Sequence, residues 1–420
     1  MDVFTLYSVI ASLAIFVGYL NSCIFKQQAT IAIMSGSLLV SIVLIILQYF
    51  GFGSLYEQAH ILVIRSHFDA LLLNGMLSFL LFAGALTIDF NALSSQKWVI
   101  TTLASISTIC SAAIVGYLLF FISSLFSIHI PLTYCFLFGA LISPTDPIAV
   151  LATFKRLGVS KQLTTCVAGE SLFNDGVGIV LFITLSQLVL SNSTQFDLTN
   201  VVELFLQEAI GGIVFGLILG GITSMLAKPL KEANAIILLT LGVVIAGYSI
   251  ALKLEISGPL AMVTAGILVN ARLHYHIKSL HFHDLKKFWE IIDELLNAVL
   301  FLLLGFELLD MSANSSEIFL AITMIPVVLL VRLFTAGTPM MFFKKTNKFP
   351  AYTIRILSWG GLRGGLAVAL ALSLPLSPYR DIILTLTYGI VIFAIIIQGS
   401  TISGLAKKSL AAYKLESSGK

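Results

Sequence analysis

Residues 141–148 read LISPTDPI and place two prolines, Pro144 and Pro147, inside a long apolar run. Each proline removes a backbone N–H and clashes with the preceding helical turn, and each biases the residue before it toward an extended conformation. The pattern predicts an unwound crossing of the membrane, after which a short helix restarts at Ile148 with Pro147 in first position and Asp146 as its cap. Unwound backbone at this depth must be buried or line a water-filled cavity.

A second apolar run contains SWGGLRGGL at residues 358–366. Four glycines surround one arginine there, and glycine has a poor helix propensity. We therefore expect a second interruption, with Gly361, Arg363 and Gly364 at the point where the two broken helices cross. The alternative is a glycine face that only packs against a neighbouring helix, but packing alone does not account for the arginine.

The composition of the chain identifies its environment. Of 420 residues, 58% are hydrophobic and only 11% are charged, against about 25% charged in soluble domains. A membrane-spanning helix needs about 20 apolar residues, so the chain can supply about a dozen spans, and a soluble enzyme is excluded. A net charge of +3 provides no basic face for nucleic acid. Long continuous apolar runs argue against a β-barrel.

Thirteen apolar runs predict an all-α membrane protein with about 13 transmembrane helices. Lysine and arginine are concentrated in every second loop, whereas the opposite loops carry only Arg65, Lys253 and Arg380. This bias predicts an N-terminus outside the cell and a C-terminus in the cytoplasm. The first run lacks the features of a cleaved signal and is expected to be a span. The runs cover 3–24, 29–50, 68–88, 98–122, 132–154, 162–190, 201–226, 235–252, 257–271, 290–309, 316–343, 351–374 and 381–406.

The two interrupted spans are the fifth and the twelfth in this order. Spans four to six and eleven to thirteen then form two three-helix units, each broken in its middle helix. Because seven spans separate them in an alternating bundle, the two units are expected to be inverted relative to each other. Inverted repeats with discontinuous helices are typical of secondary transporters, whose site lies where the broken helices meet.

Few charged residues fall deep inside the apolar runs. A charge at the bilayer centre costs at least about 2.5–3.5 kcal/mol on insertion scales, so such residues are functional candidates that must be paired or face water. Three acids closer to a span end, Asp293, Glu294 and Glu307, are interpreted as interfacial charges. The deep residues are Asp146, Glu170, Asp175, Arg332 and Arg363.

Span six carries the sequence GESLFNDG at residues 169–176. Ser171 and Asp175 are four residues apart and share one helix face, and Glu170 and Asn174 share another. Glu170 and Asp175 are about 140° apart around the helix, which predicts different roles for them.

A small cation would find hard oxygen ligands on the first of these faces. The Asp175 carboxylate, the Ser171 hydroxyl and a nearby carbonyl such as that of Thr145 form a set suited to it. Glu170 needs a counter-charge, and Arg332 on span eleven is the available arginine.

The motifs at residues 145–147 and 169–176 and the glycines around Arg363 resemble the NhaP-type sodium/proton antiporters of the monovalent cation/proton antiporter superfamily, in order and spacing over most of the chain. The resemblance implies a thirteen-span homodimer in the lipid bilayer, with no cofactor besides the transported Na⁺ and H⁺. It also implies scaffold segments at 1–90 and 201–310, and moving core segments at 98–190 and 316–408.

Site roles follow from the resemblance residue by residue. Asp175 is implied to bind the ion and the proton, with Ser171 and the Thr145 carbonyl as ligands and with Asp146 and Asn174 beside it. Glu170 and Arg332 are implied to form a structural ion pair. Ala83 departs from the pattern, because relatives often carry a glutamate near this position that contributes indirectly to the ion site.

The expected function is secondary active exchange of a monovalent cation for H⁺ across a prokaryotic inner membrane, with Asp175 as the shared site and with no net charge moved. Na⁺ and also Li⁺ are the expected ions, and K⁺/H⁺ exchange is the alternative, since selectivity depends on ligand spacings that sequence does not reveal. The remote rivals are a channel and an intramembrane aspartyl protease. The protease lacks support because no Gly-x-Gly-Asp sequence is present.

Overall fold

The computed structural model describes residues 3–21, 23, 28–51, 53–190, 198–276, 279–311, 314–347, 349–350 and 352–418. Regular secondary structure in these residues is helical, and one isolated β-bridge joins Asp146 to Leu362. The predicted all-α architecture is therefore confirmed.

Helices occupy every one of the thirteen predicted apolar runs. In chain order they are α1 (Val3–Leu20), α2 (Ala29–Tyr49), α3 (Gly53–Ser66), α4 (Phe68–Thr87), α5 (Phe90–Ser95), α6 (Lys97–Leu125), α7 (Leu132–Ile142), α8 (Ile148–Leu157), α9 (Lys161–Leu190), α10 (Leu198–Ala227), α11 (Ala233–Lys253), α12 (Gly258–His276), α13 (Ser279–Phe306), α14 (Ser315–Asn347), α15 (Thr353–Trp359), α16 (Gly365–Leu372), α17 (Pro378–Phe393) and α18 (Gly399–Ser418). A π-helical turn, Ala394–Gln398, joins α17 to α18.

Eight helical segments among the described residues are long and apolar enough to cross a membrane. Their outer surfaces expose large apolar side chains, for example Leu217 and Ile218 on α10 and Phe334 on α14. Such exposure would be unfavourable in water and suits contact with lipid. The eight segments are α2, α4, α6, α9, α10, α11, α14 and the continuous α17–α18.

Helix α3 lies between the second and third predicted spans, where the sequence predicts a loop. It contains Glu57, His60 and Arg65, so it lacks the continuous apolar character of a span. The Tyr56 hydroxyl donates to the Leu309 carbonyl at 2.8 Å, and His60 Nε2 lies 2.9 Å from Asp310 Oδ1. These contacts hold α3 against the chain that follows α13.

Glycines allow neighbouring helices to approach to backbone contact. Gly216 and Gly220, one turn apart on α10, lie directly against backbone atoms of α12, and Gly212 lies against Ser257 just before that helix. Gly116 of α6 faces α7 in the same way, because an added methyl group would lie 2.8 Å from the Cys135 carbonyl oxygen. Small residues at such crossings are typical of helix packing in membranes.

We expect Gly116→Ala to destabilise the fold, because the new methyl group would lie 2.9 Å from the Phe136 Cα and the backbone would have to shift. Overpacking of this kind costs about 1–3 kcal/mol. The matched control is Gly242→Ala on α11, where an added Cβ meets nothing within 4 Å. Thermal unfolding in detergent should give a lower midpoint for the first variant and an unchanged or higher midpoint for the second. Equal midpoints would contradict the packing described.

Candidate functional site

Two interrupted helices cross near the middle of the molecule. Helix α7 ends at Ile142 and α8 begins at Ile148, while α15 ends at Trp359 and α16 begins at Gly365. The Asp146 N–H donates to the Leu362 carbonyl at 2.8 Å, which joins the two unwound segments directly.

Gly364 is required at the crossing because of its close approach to Asp146. A methyl group at this glycine would lie 2.8 Å from the Asp146 Cβ and 2.9 Å from its carboxyl carbon. The ring of Pro144 likewise packs against Gly178 of α9, where an added methyl group would have no room. The two glycines therefore let Asp146 approach the second unwound segment, and Pro144 approach α9, at close range.

Arg363 is almost fully buried and satisfies the backbone at the end of α7. Its Nη1 donates to the Ser143 carbonyl and to the Pro144 carbonyl, both at 2.8 Å. The last carbonyls of a helix have no partner within the helix, and a positive charge at that end is also favoured by the helix dipole. One guanidinium of the twelfth predicted span thus caps the broken helix of the fifth.

Asp146 caps the helix that restarts after the break. Its Oδ1 accepts a hydrogen bond from the Ile148 N–H at 3.0 Å, and the Pro147 carbonyl accepts from Leu151 N–H at 2.8 Å. Helix α8 begins at Ile148, so Pro147 lies just before it and not at its first position as predicted. A carboxylate here is favourable because the first N–H groups of a helix are unpaired.

Helix α9 is bonded to the first break through three polar side chains. The hydroxyls of Thr145 and Ser171 lie 3.1 Å apart, and the Asn174 amide donates to Thr145 Oγ1 at 2.8 Å. The Thr145 N–H donates to Asn174 Oδ1 at 3.3 Å. All three residues are buried, so the predicted ligand Thr145 is held close to Ser171 of the predicted ion site.

Glu170 and Arg332 form a buried ion pair. Arg332 Nη2 lies 2.5 Å from Glu170 Oε1, and the two side chains are 3% and 2% exposed. The Asn174 amide also donates to Glu170 Oε1 at 3.3 Å. Asn174 therefore connects the ion pair to Thr145 at the break.

Asp146, Ser171 and Asp175 line a cavity of about 630 Å³, and Thr145 and Asn174 are buried behind them. The cavity extends to Lys155 in the last turn of α8 and to Lys161 at the start of α9, both of which are exposed. A path for water and small ions thus connects Asp175 with this side of the protein.

Asp89 and Lys161 form an ion pair at the mouth of the cavity, with 2.5 Å between Asp89 Oδ2 and Lys161 Nζ. The hydrogen bond from Lys161 lowers the pKa of the Asp89 carboxyl, so this carboxylate stays charged at neutral pH. The ammonium of Lys161 is therefore neutralised where a cation would pass.

Two further residues of the cavity wall, Asp293 and Asn297 on α13, are not among the predicted site residues. Asp293 was interpreted as an interfacial charge, whereas it lies in the same cavity as Asp146 and Asp175. The available signal was the four-residue spacing, which puts a carboxylate and an amide on one helix face. Residue 83 on α4 is a buried alanine, so this position contributes no carboxylate to the site.

Comparison with known proteins agrees with this geometry. The family described as "Sodium/hydrogen exchanger, transmembrane" matches residues 9–408. The Na(+)/H(+) antiporter NhaP of Pseudomonas aeruginosa is 41% identical over 95% of both chains, and the Na(+)/H(+) antiporter NhaH of Halobacillus aidingensis is 34% identical over 84% of this chain and 86% of its own. The sodium proton antiporter MjNhaP1 from Methanocaldococcus jannaschii has a similar fold, with a TM-score of 0.75 at 18% identity over 98% of this chain and 100% of that chain. The resemblance noted in the sequence is thereby confirmed, and the chain belongs to the sodium/hydrogen exchanger family of membrane cation/proton antiporters.

Proposed function

We propose that the protein exchanges Na⁺, and also Li⁺, for protons across the membrane, and that both substrates use the carboxylate of Asp175. The observation that carries this proposal is the position of Asp175. This residue lies beside the crossing of the broken helices and lines a cavity that reaches the exposed residues Lys155 and Lys161. A titratable group at the end of such a path can receive either an ion or a proton.

The proposal takes the oxygen ligands of the cation from Asp175 and from residues near the first break. The Ser171 hydroxyl is one helical turn away, and the unwound backbone at Thr145 offers a carbonyl. Asp146 lines the same cavity and adds negative charge, although one of its oxygens caps α8. Carboxylate, hydroxyl and carbonyl oxygens are the ligands that small hard cations prefer.

Competition for one carboxylate makes the exchange electroneutral, with one proton moved per ion. Glu170 pairs with Arg332, Arg363 donates to two carbonyls and Asp146 accepts from the Ile148 N–H, so the proposal assigns the exchanged proton to Asp175 alone. Asn174 carries no proton that can be exchanged. A steep dependence of initial exchange rates on an imposed membrane potential would contradict this stoichiometry.

Alternating access in this proposal moves the core segments, 98–190 and 316–408, against a scaffold formed by 1–90 and 201–310. The bonds between Arg363 and the end of α7, and between Asp146 and Leu362, tie the two core segments together and support this division. We further propose a homodimer in a bacterial inner membrane, with the N-terminus outside and the C-terminus in the cytoplasm. The cavity then opens to the cytoplasm.

Exchange of K⁺ for protons by the same site is the second candidate function. Ala83 supports this second candidate, because the site lacks a carboxylate where relatives with the same motifs often have one. A proteoliposome assay that records proton movement against Na⁺, Li⁺ and K⁺ gradients in turn decides between these ions. If none of the three ions supports proton movement, the proposed function is overturned.

Replacing Asp175 with Asn should abolish exchange, because the amide neither titrates nor offers a negative charge to a cation. Asp381→Asn is the matched control, since this carboxyl is 61% exposed and lies on α17 away from the cavity. Both variants are compared with the unmodified protein in proteoliposomes carrying a pH gradient. Retained exchange in Asp175→Asn would refute the role of Asp175.

Proton competition predicts that the apparent KM for Na⁺ rises as the pH falls. Once protons occupy most of the sites, mass action requires an increase of about ten-fold per unit of pH. The maximal rate at saturating Na⁺ is less sensitive, because excess cation displaces the proton. Initial rates over a grid of pH and Na⁺ concentrations measure both quantities, and a KM that does not change with pH would exclude a shared site.

Arg332→Ala should mainly lower stability, because it leaves the Glu170 carboxylate buried without a counter-charge. Breaking a buried ion pair in this way costs about 3–5 kcal/mol. The control is Arg355→Ala on α15, where the arginine is exposed and lies over the Tyr352 ring. Thermal unfolding in detergent compares the two variants, and the double variant Glu170→Gln, Arg332→Gln should recover part of the loss. An Arg332→Ala protein of normal stability without exchange would instead indicate a direct role in transport.

A further inference from the structure

We propose that Asp293 and Asn297 on α13 form a second binding position for a monovalent cation, which holds the ion in the cavity before it reaches Asp175. This inference rests on the proposed function, because it takes Asp175 as the transport site. It adds a cation position that lies on a helix outside the two broken ones.

The placement of α13 brings both side chains to the cavity. Asp293 and Asn297 are separated by one helical turn and both line the space that Asp146 and Asp175 line. One turn further along, the Leu300 side chain packs so closely on Gly365 that a methyl group there would be 2.7 Å from it. The pair is therefore fixed beside the start of α16, next to the crossing.

Asn297 provides an oxygen that lacks a donor. The residue is 4% exposed, and its Oδ1 accepts no hydrogen bond within the described part of the chain. Asn297 lies one helical turn from Asp293 on the same face of α13, so its amide oxygen and the carboxylate can contact one ion. Leaving a buried acceptor unsatisfied costs about 1–3 kcal/mol, so this oxygen calls for a ligand.

The charges around the cavity favour a cation as that ligand. No lysine or arginine among the described residues forms an ion pair with Asp293, and its carboxylate is repelled by that of Asp146. Lys161 at the mouth is paired with Asp89. Carboxylates that line a cavity without counter-charges concentrate cations within it.

A bound cation accounts for the pair better than a proton does. Protonation of Asp293 would remove the repulsion from Asp146, whereas a cation is attracted by both carboxylates and also gives the unpartnered amide oxygen of Asn297 a partner. A monovalent cation contacts a carboxylate oxygen and an amide oxygen together, and both are hard ligands.

Transport kinetics give the first test, with Asp293→Asn compared with Glu294→Gln in proteoliposomes. Glu294 is the adjacent, exposed carboxylate on the same helix, so the control removes the same charge from the neighbouring position. We expect Asp293→Asn to raise the apparent KM for Na⁺ about ten-fold, as loss of a supporting ligand does at metal sites, with the maximal rate retained. Asn297→Ala should change KM in the same direction.

A KM for Asp293→Asn equal to that of Glu294→Gln would overturn the second position. A lower maximal rate at unchanged KM would also overturn it, because that result makes Asp293 a proton carrier. Failure of the proposed function looks different, since the unmodified protein would then move no protons against any monovalent cation.

Direct binding gives the second test and does not depend on transport. The thallous ion serves as the probe, and its equilibrium binding is measured on purified protein in detergent. The single variant Asp175→Asn should keep one saturable site. The double variant that adds Asp293→Asn should lose this site, and the double variant that adds Glu294→Gln should keep it. Absence of saturable binding in Asp175→Asn, or equal binding in the two double variants, would overturn the proposal.

Discussion

The backbone at an interrupted helix must find hydrogen-bond partners where no bulk water is available, and this constraint organises the centre of the molecule. The break between α7 and α8 frees carbonyls on one side and N–H groups on the other. Arg363 supplies donors to the carbonyls of Ser143 and Pro144, and Asp146 supplies an acceptor to Ile148. Because both partners are charged, the broken helices already require a carboxylate and a guanidinium beside the proposed cation site.

Elsewhere in the core, buried charge is stabilised by an ion pair and by a side-chain amide that bridges to the first break. Arg332 neutralises Glu170, and Asn174 extends from that pair to Thr145. Asp175 differs because it has no ion-pair partner among the described residues and faces the cavity. The contrast supports the proposal that two carboxylates five residues apart on one helix serve different purposes, one for structure and one for exchange.

Much of this arrangement could be predicted from local sequence, because prolines and glycines act on the backbone where they stand. Pro144, Pro147 and the glycines around Arg363 were sufficient to locate both interruptions. The bonds between the interruptions were not predictable, since they join residues more than 200 positions apart through tertiary packing. Helix α3 was missed because its charges break the apolar run.

Asp293 was missed for a different reason. Its distance from the end of a predicted span suggested a residue at the membrane surface, and only the packing of α13 shows that the surface at this depth is an internal cavity. Roles in binding and exchange likewise cannot be predicted from the spacing of residues in the sequence, because they depend on which side chains line the same cavity.

The β-bridge between Asp146 and Leu362 also has a consequence for the direction of exchange. Together with the bonds of Arg363, it links both halves of the core, so that in the proposed mechanism they shift as one body and carry the site without remaking it. A site that keeps its ligands in both orientations has the same affinity on either side of the membrane. Under that mechanism the protein acts as an unbiased coupling device, and the sign and extent of net flux are set by the concentration gradients of the cation and the proton alone.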